Sequence, residues 1–242
     1  MANENWPEQE VRLSRNAADQ GKLVPPLTLE DLCRSAAAIG TTPGFVPGAA
    51  PIMRSQNSSE FLPKHWPYSQ VKKELVKASG VLDPKFSERR TLVLKNPKPD
   101  NDWATSRTLV CAYQMILAGE VAPSHRHSSH ALRVILEATG TYSIVDGERM
   151  PMETGDVVLT PANYWHAHGH DGTEPAFWLD GLDVPLTYLL EPMYFENHPA
   201  RIEPVTRVTS RSPFRFAWAD TQRLLAEASI DPAGAHGRRL IL

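Results

Sequence analysis

The chain has 242 residues and a formal net charge of -3, with 41% hydrophobic and 22% charged residues. This length allows a sizeable buried core, and this composition is typical of a soluble globular protein rather than a disordered one. The slightly acidic balance argues against a nucleic-acid partner, while the lack of a long apolar run or an apolar leader argues against a membrane partner and predicts a cytoplasmic protein.

Two helices are predicted in the first third of the chain. In LTLEDLCRSAAAIG the apolar residues recur at helical spacing, and Thr28 and Asp31 are placed as a capping box. After a stretch rich in Pro and Gly, YSQVKKELVKASG predicts a second helix that Ser69 caps and Gly80 ends. Residues 1–60 are therefore expected to form a partly irregular arm.

From residue 91 onward the pattern changes to short runs rich in β-branched and aromatic residues. These runs are TLVLK, RTLVCAYQMIL, LRVILE, TYSIV, DVVLT and AFWLDGLDV. The pair Asp146 and Gly147 predicts a tight hairpin turn between TYSIV and ERMPM. Short strands at this spacing favour a β-sandwich or small barrel. After Pro204 a loop, a helix over roughly residues 218–228 and the start of a further strand are expected.

The residues available for a metal site are histidines and carboxylates. Cys33 and Cys111 are the only cysteines, and without CxxC spacing they predict neither a disulfide framework nor a thiolate zinc site. In PSHRHSSHAL, His125 and His127 lie two residues apart and would point to the same face of a strand. An isolated pair of this kind is more commonly a pair of surface histidines.

A second segment, GDVVLTPANYWHAHGH, also alternates histidines. Together the two segments resemble the paired motifs of the cupin superfamily. The first motif is matched by Gly119, His125, His127 and Gly140. The second is matched by Gly155, Pro161 and His166, with Asn163 and His170 replacing its Gly and Asn. The resemblance implies an all-β-dominated fold, the double-stranded β-helix or jelly roll, with an N-terminal helical arm and a C-terminal helix.

The first motif usually supplies a glutamate ligand a few residues after its histidines, and apolar residues occupy those positions here. Glu137 lies several residues too far along the chain. His125, His127 and His166 then remain as three neutral imidazoles, which leave the +2 charge of a metal uncompensated. Such a site should attract a chelating anion, and Arg133 is suited to clamp its carboxylate.

The resemblance sharpens in ERRTLVLKNP, HRHSSHALRVILEATGTYSIVDGERMPMETGDVVLTP and WHAHGHDGTEPAFWLDGLDVPL. Over about residues 62–242 the chain resembles the N-terminal half of gentisate 1,2-dioxygenases and the related salicylate and 1-hydroxy-2-naphthoate dioxygenases. This implies an Fe(II) enzyme that inserts O2 between the carboxylate-bearing ring carbon and the adjacent hydroxylated carbon. Gentisate would yield maleylpyruvate, and another salicylate-like acid is the alternative.

The resemblance also implies roles for single residues. The iron ligands would be His125, His127 and His166. The binders of the substrate carboxylate would be Arg89 and Arg133. The groups that contact the substrate or support the ligands would be Gln114, His168 and Asp180. His168 is suited to take the phenolic proton or to orient O2, since an imidazole titrates near neutrality.

Several of these residues have a purely structural alternative. The alternative for Arg89 is a solvated pair with Arg90, and the alternative for Gln114 is a hydrogen bond to a backbone group in its strand. The remaining histidines, His130 and His170, are not expected to be ligands, and Asp183 is expected to serve a turn.

Family members are bicupins, and their second barrel would begin where this chain ends. Residues 61–205 are therefore expected to form the barrel with the metal site, and residues 206–242 a linker helix and the start of a second barrel. Without that barrel, apolar surface around Phe214, Trp218 and Leu224 would be exposed. A homo-oligomer is expected.

Two other functions stay open. Cupin isomerases and hydrolases use similar histidine sites with zinc or manganese, and a shortened cupin could bind an aromatic acid without turnover. The choice of substrate is open as well, because Ala167 and His170 stand where the family usually has Asp and Asn.

Overall fold

The computed structural model describes residues 28–41, 44, 59–82 and 90–227. The helices are α1 Leu29–Ala38, α2 Tyr68–Ser79, α3 Val184–Leu189 and α4 Trp218–Glu227. The strands are β1 Arg90–Val93, β2 Val110–Ile116, β3 Val121–His127, β4 Ala131–Glu137, β5 Thr141–Val145, β6 Glu148–Met152, β7 Val157–Thr160, β8 His166–His170, β9 Ala176–Leu182, β10 Phe195–Asn197, β11 Arg207–Val208 and β12 Arg215–Phe216. Among the described helices, none has the length and apolar character needed to cross a membrane.

The contacts divide the chain into two units, Met1–Asn57 and Ser58–Leu242. In the first unit, α1 begins with the predicted capping box. The Thr28 hydroxyl accepts from the Asp31 backbone at 3.1 Å, and the Asp31 carboxylate accepts from the Thr28 backbone at 3.2 Å. These bonds satisfy donors that a helix start leaves without an intrahelical partner.

The helix α2 in the second unit is confirmed, but its predicted cap is wrong. Pro67 precedes the helix and makes no side-chain cap, while Ser69 lies inside the first turn. Proline suits this position because its fixed φ is compatible with a helix start and its missing N–H is not needed there. The helix ends at Gly80, as expected.

Two six-stranded sheets form the predicted jelly roll. The first sheet has the order β1-β2-β9-β4-β7-β12, and the second has the order β10-β3-β8-β5-β6-β11. Every neighbouring pair is antiparallel except β11 and β6. The hairpin between β5 and β6 is confirmed, since Asp146 and Gly147 have φ angles of 51° and 77°. Positive φ at both positions is what a tight two-residue hairpin turn requires.

Apolar side chains fill one part of the space between the sheets. This barrel core consists of Ile116, Ile135, Val145, Met150, Met152, Val158, Ala176 and Trp178. A separate cluster lies on the outer face of the first sheet, where Leu75 of α2 packs against Met115 and Phe177. Because side chains alternate along each strand, β2 and β9 contribute to both clusters.

The segment that ends in α4 is bound to the barrel by a buried ion pair. Arg215 lies 2.7 Å from Asp156, with side chains 5% and 2% exposed, and Asp156 also accepts from the backbone of Trp218 at 2.9 Å. Phe214 packs against the barrel core, so it does not belong to the expected exposed surface. Trp218 is 41% exposed.

Candidate metal centre

Three histidine side chains meet between the sheets, on neighbouring strands. β3 pairs with β8, and His125 lies directly opposite His166. His127 shares a face of β3 with His125 because side chains alternate. One ring nitrogen of each histidine lies within 4.8 Å of those of the other two. The side chains are 3% (His125), 8% (His127) and 0% (His166) exposed, so an ion held between them would be shielded from bulk water.

The hydrogen bonds of these rings assign the hydrogen to the same nitrogen in each. Nδ1 lies 3.0 Å from a backbone carbonyl oxygen in His125, 2.8 Å in His127 and 3.1 Å in His166. The carbonyls belong to Pro123, Ser129 and Tyr164 in that order. Since a carbonyl oxygen only accepts, Nδ1 carries the hydrogen and Nε2 keeps its lone pair.

His166 carries the clearest sign of a ligand position. Burial holds the pKa of His166 well below its usual value, and the positive charge of Arg133 lowers it further. Its Nε2 is buried and makes no hydrogen bond within the described part of the chain. A neutral imidazole with such a lone pair is a suitable metal ligand. The three histidines therefore fit a divalent transition metal.

The fourth histidine of this face, His168, is held in a different way. Its Nδ1 lies 3.1 Å from the Ser143 hydroxyl, which itself donates to the carbonyl of Ala167 at 3.3 Å. With the hydroxyl hydrogen used on Ala167, Nδ1 donates to Ser143 and Nε2 carries the lone pair. The His168 ring lies 5.9 Å from His166 and 5.7 Å from Trp178 of the other sheet.

A buried ion pair on the first sheet brings together three further predicted site residues. Arg133 of β4 lies opposite Asp180 of β9, with 3.3 Å between Nε and a carboxylate oxygen. The Gln114 amide donates to the other oxygen of Asp180, and Arg133 donates to the Thr160 hydroxyl at 2.6 Å. Arg133 is 1% exposed, so it is not a solvated arginine, and Asp180 offsets its charge.

Of the neighbouring residues Arg89 and Arg90, the structure describes only Arg90. Arg89, predicted to bind the substrate carboxylate, lies outside the described residues. Arg90 is 2% exposed and lies 2.6 Å from Glu120. The alternative of a solvated pair is therefore wrong for Arg90, because a buried guanidinium requires a carboxylate partner.

Glu137 lies away from the histidines, as its spacing predicted. Its carboxylate accepts from Lys72 at 2.6 Å and from the Tyr68 hydroxyl at 2.9 Å, both on α2. Among the described residues, the group of potential metal ligands contains three histidines and no carboxylate.

The two histidines that were not expected to be ligands make structural hydrogen bonds. His170 lies 2.9 Å from the Thr141 hydroxyl and 2.5 Å from the carbonyl of Glu174. His130 accepts from the Ala162 backbone at 3.1 Å. Asp183 accepts from the His130 backbone at 2.7 Å, immediately before α3. The structural interpretation of Asp183 therefore agrees with its contacts.

Asn163 explains one departure from the second motif. It has a φ of 69°, a left-handed conformation that the glycine of the motif would adopt without strain and that asparagine tolerates better than most residues. Its backbone donates to the carbonyl of His127 at 2.8 Å. The turn before His166 is thereby tied to the strand that carries the other two histidines.

Sequence reasoning missed two aromatic residues at the site. Phe195 of β10 stacks on His125, with ring centroids 5.1 Å apart and an interplanar angle of 24°. Trp178 lies two residues before Asp180 on β9, so the alternation that puts Asp180 inside the barrel puts Trp178 there too. For Phe195 the sequence carries no comparable signal, since its position depends on the pairing of β10 with β3.

Comparison with known proteins places these features in a family context. Residues 112–182 match the cupin domain family. The chain is 39% identical over 189 residues to a gentisate 1,2-dioxygenase of Ralstonia sp.. The aligned residues cover 70% of this chain and 53% of that protein. It is also 39% identical over 139 residues to a 5-aminosalicylate 1,2-dioxygenase of Comamonas sp., and this alignment covers 56% of this chain and 37% of that protein.

A solved structure agrees with the sequence comparison. The salicylate 1,2-dioxygenase of Pseudoaminobacter salicylatoxidans, in its adducts with gentisate, superposes with a TM-score of 0.71 at 26% identity, over 93% of this chain and 72% of that one. The chain spans about half the length of the curated relatives it matches.

Proposed function

Because this chain carries a cupin domain and is similar to gentisate and 5-aminosalicylate 1,2-dioxygenases over part of their length, we propose that it is the metal-binding part of an Fe(II)-dependent ring-cleaving dioxygenase. Its substrate is gentisate or a close salicylate-like acid. The observation that carries this proposal is the buried group of His125, His127 and His166, next to the buried pair of Arg133 and Asp180.

Charge balance supports an acidic chelating substrate. The three imidazoles are neutral ligands, so a divalent ion keeps its full charge. Arg133 and Asp180 offset each other, and the surroundings are buried. A substrate that brings two negative charges, one carboxylate and one phenolate, offsets the +2 charge of the ion.

The donor set alone does not choose among transition metals, because imidazole suits zinc, copper, iron and nickel. The relatives are dioxygenases by name, and zinc does no redox chemistry. We therefore assign Fe(II) to His125, His127 and His166. Bound iron would supply the redox chemistry that a reaction with O2 requires.

The other residues bind and orient the acid. Arg133, together with Arg89, binds the carboxylate through planar two-bond contacts. His168 accepts the phenolic proton at Nε2, since its Nδ1 hydrogen is held by Ser143. Gln114 and Asp180 keep Arg133 in place. Both oxygen atoms of O2 enter between the carboxylate-bearing and the hydroxylated ring carbons, and gentisate gives maleylpyruvate.

The same proposal covers the organisation of the chain. Residues 1–60 form the arm, residues 61–205 the barrel with the metal site, and residues 206–242 a link to a second barrel. The relatives' greater length supports this division. Assembly as a homo-oligomer belongs to the same proposal.

The first experiment is O2 uptake by protein loaded anaerobically with Fe(II), supplied with gentisate, salicylate or 1-hydroxy-2-naphthoate. We expect uptake matched by ring-cleavage product on at least one acid. The variant His166→Ala should lose both metal binding and uptake, while His130→Gln, which removes a histidine outside the triad, should keep both. No uptake on any of the three acids with iron bound would contradict the catalytic proposal.

The half-length match favours one second candidate, a cupin that binds an aromatic acid without turnover. Binding of salicylate without O2 uptake, with iron present, would support it. Turnover without any need for O2, with zinc or manganese in the site, would instead indicate an isomerase or hydrolase.

A further inference from the structure

Two buried polar atoms on neighbouring strands lack a hydrogen-bond partner within the described residues. One is Oε1 of Gln114, an acceptor, and the other is Nε1 of Trp178, a donor. Gln114 is 5% exposed and Trp178 is fully buried. Buried polar atoms in folded proteins are almost always paired, so two such atoms side by side require a reason.

The strand register brings these two side chains together. Gln114 of β2 and Trp178 of β9 are direct partners in an antiparallel pair, a relation that separates Cβ atoms by about 5 Å. Gln114 donates its amide N–H to Asp180, which turns its oxygen away from that carboxylate. Asp180 and Trp178 alternate onto the same face of β9, so all three side chains point between the sheets.

The pair lies where the apolar core ends and the candidate metal centre begins. Trp178 belongs to the barrel core, and its ring lies 5.7 Å from that of His168. Gln114 is linked through Asp180 to Arg133. A group that satisfies both atoms would therefore lie beside the groups that hold the metal and the substrate carboxylate.

Only certain chemical groups satisfy a neighbouring donor and acceptor at once. A carboxylate only accepts, and an aromatic C–H or a halogen does not donate to an amide oxygen. A hydroxyl both donates and accepts. The pair therefore has the hydrogen-bonding pattern that complements one hydroxyl group.

We propose that Gln114 Oε1 and Trp178 Nε1 together bind a second ring hydroxyl of the substrate, the one that does not chelate the metal. The site thus selects a dihydroxylated aromatic acid such as gentisate over salicylate. This inference rests on the proposed function and deepens it, because it assigns the choice of substrate to two residues. An acid without that hydroxyl leaves both atoms buried and unpaired. The cost of such unpaired groups is how a hydrogen-bonding site discriminates against an analogue that lacks the group.

The test measures dissociation constants of gentisate and salicylate for the anaerobic Fe(II)-loaded protein by calorimetry, so it does not depend on turnover. The wild-type protein should bind gentisate more tightly. The variant Trp178→Phe keeps an aromatic ring and removes the N–H. It should weaken gentisate binding by about tenfold and change salicylate binding by less than about twofold. The matched control is Ile135→Val, which trims the strand partner of Trp178 without removing a polar atom.

A second measurement needs no variant and so survives a failure of Trp178→Phe to fold. For the wild-type protein, 5-methoxysalicylate keeps the acceptor of the second hydroxyl and loses its donor. We expect it to bind more weakly than gentisate by about tenfold.

Equal affinities for gentisate and salicylate would overturn this inference while leaving the proposed function intact. An equal loss of affinity for both acids in Trp178→Phe would overturn it as well, since that result indicates that Trp178 acts through packing alone. Binding of neither acid by the wild-type protein would overturn the proposed function as well.

Discussion

The tautomers of the three clustered histidines are set at the residue scale. The carbonyl groups that fix His125, His127 and His166 belong to residues two positions away on the same stretch of chain. This local control puts the lone pair on Nε2 of all three rings without help from distant parts of the fold. Among the residues that the structure describes, the group contains no carboxylate, and this decides the charge of the site and the kind of ligand that it favours.

Asn163 offers a residue-scale test of how the turn supports the site. We expect Asn163→Gly to fold as well as the wild-type protein, because glycine adopts a φ of 69° without strain. Asn163→Ala should lower the free energy of unfolding by about 1 kcal/mol, since a Cβ is disfavoured in this region. Chemical denaturation of the two variants measures the difference.

The control for that comparison is Tyr194→Phe. Asn163 accepts a hydrogen bond from the Tyr194 hydroxyl at 2.6 Å, and both Asn163 variants lose it. If Tyr194→Phe and Asn163→Gly each destabilise the protein as much as Asn163→Ala does, the hydrogen bond rather than the backbone conformation is what matters.

At the scale of elements, α2 is attached to the outside of the first sheet by an apolar cluster and by hydrogen bonds to Glu137. Leu75 is fully buried against Phe177. Lys72 and Tyr68 both donate to Glu137 at the end of β4. The hydrogen bond from Lys72 is the largest cause that lowers the pKa of Glu137 below its usual value.

The direction of this pKa shift predicts a pH dependence. A carboxyl whose pKa is lower in the folded state stabilises the fold above the unfolded-state pKa, and this contribution is lost as the pH falls through the folded-state pKa. Glu137→Gln should therefore reduce the free energy of unfolding at neutral pH and have no such effect in strong acid. Because the Glu137 side chain is 45% exposed, the loss should be at most about 1 kcal/mol.

Denaturation curves at several pH values measure this dependence. Glu74→Gln is the matched control, because its partner Lys77 lies on the same helix and both side chains are more than half exposed. An effect of Glu137→Gln that is the same at neutral and acidic pH would contradict the assignment to the ion pair.

At the scale of the barrel as a whole, the space between the sheets is divided into two parts. Apolar side chains such as Met150 and Met152 fill one part, and the histidines with Arg133 and Asp180 occupy the other. The apolar part supplies the burial that stabilises the fold, and this compensates for the cost of burying polar groups in the other part.

This division predicts that stability and metal binding respond to different substitutions. Met150→Ala should lower the free energy of unfolding by about 3 kcal/mol, because Met150 is fully buried in the barrel core. Its metal content, measured on folded protein after loading and desalting, should equal that of the wild type. His166→Ala should give the opposite result, with metal lost and the stability of the metal-free protein little changed. Loss of metal in folded Met150→Ala would show that the two parts are coupled.

The sequence by itself determined the fold class and the histidines of the candidate metal centre. Period-two alternation puts His125 and His127 on one face of a strand, and the two motifs together predict that His166 joins them. Both signals are local, so they can be recognised without knowledge of how the strands pair. The hairpin at Asp146 and Gly147 and the start of α1 were predictable for the same reason, since turn and cap chemistry act within a few residues.

Only the tertiary structure decided how the side chains around that group pair with one another, and which aromatic residues join them. The pairing of β9 with both β2 and β4 brings Gln114, Trp178 and Asp180 beside Arg133, and the pairing of β10 with β3 brings Phe195 onto His125. These contacts join residues far apart in the chain. Strand order and register depend on the packing of the complete barrel, and a shift of one residue would turn each side chain to the opposite face.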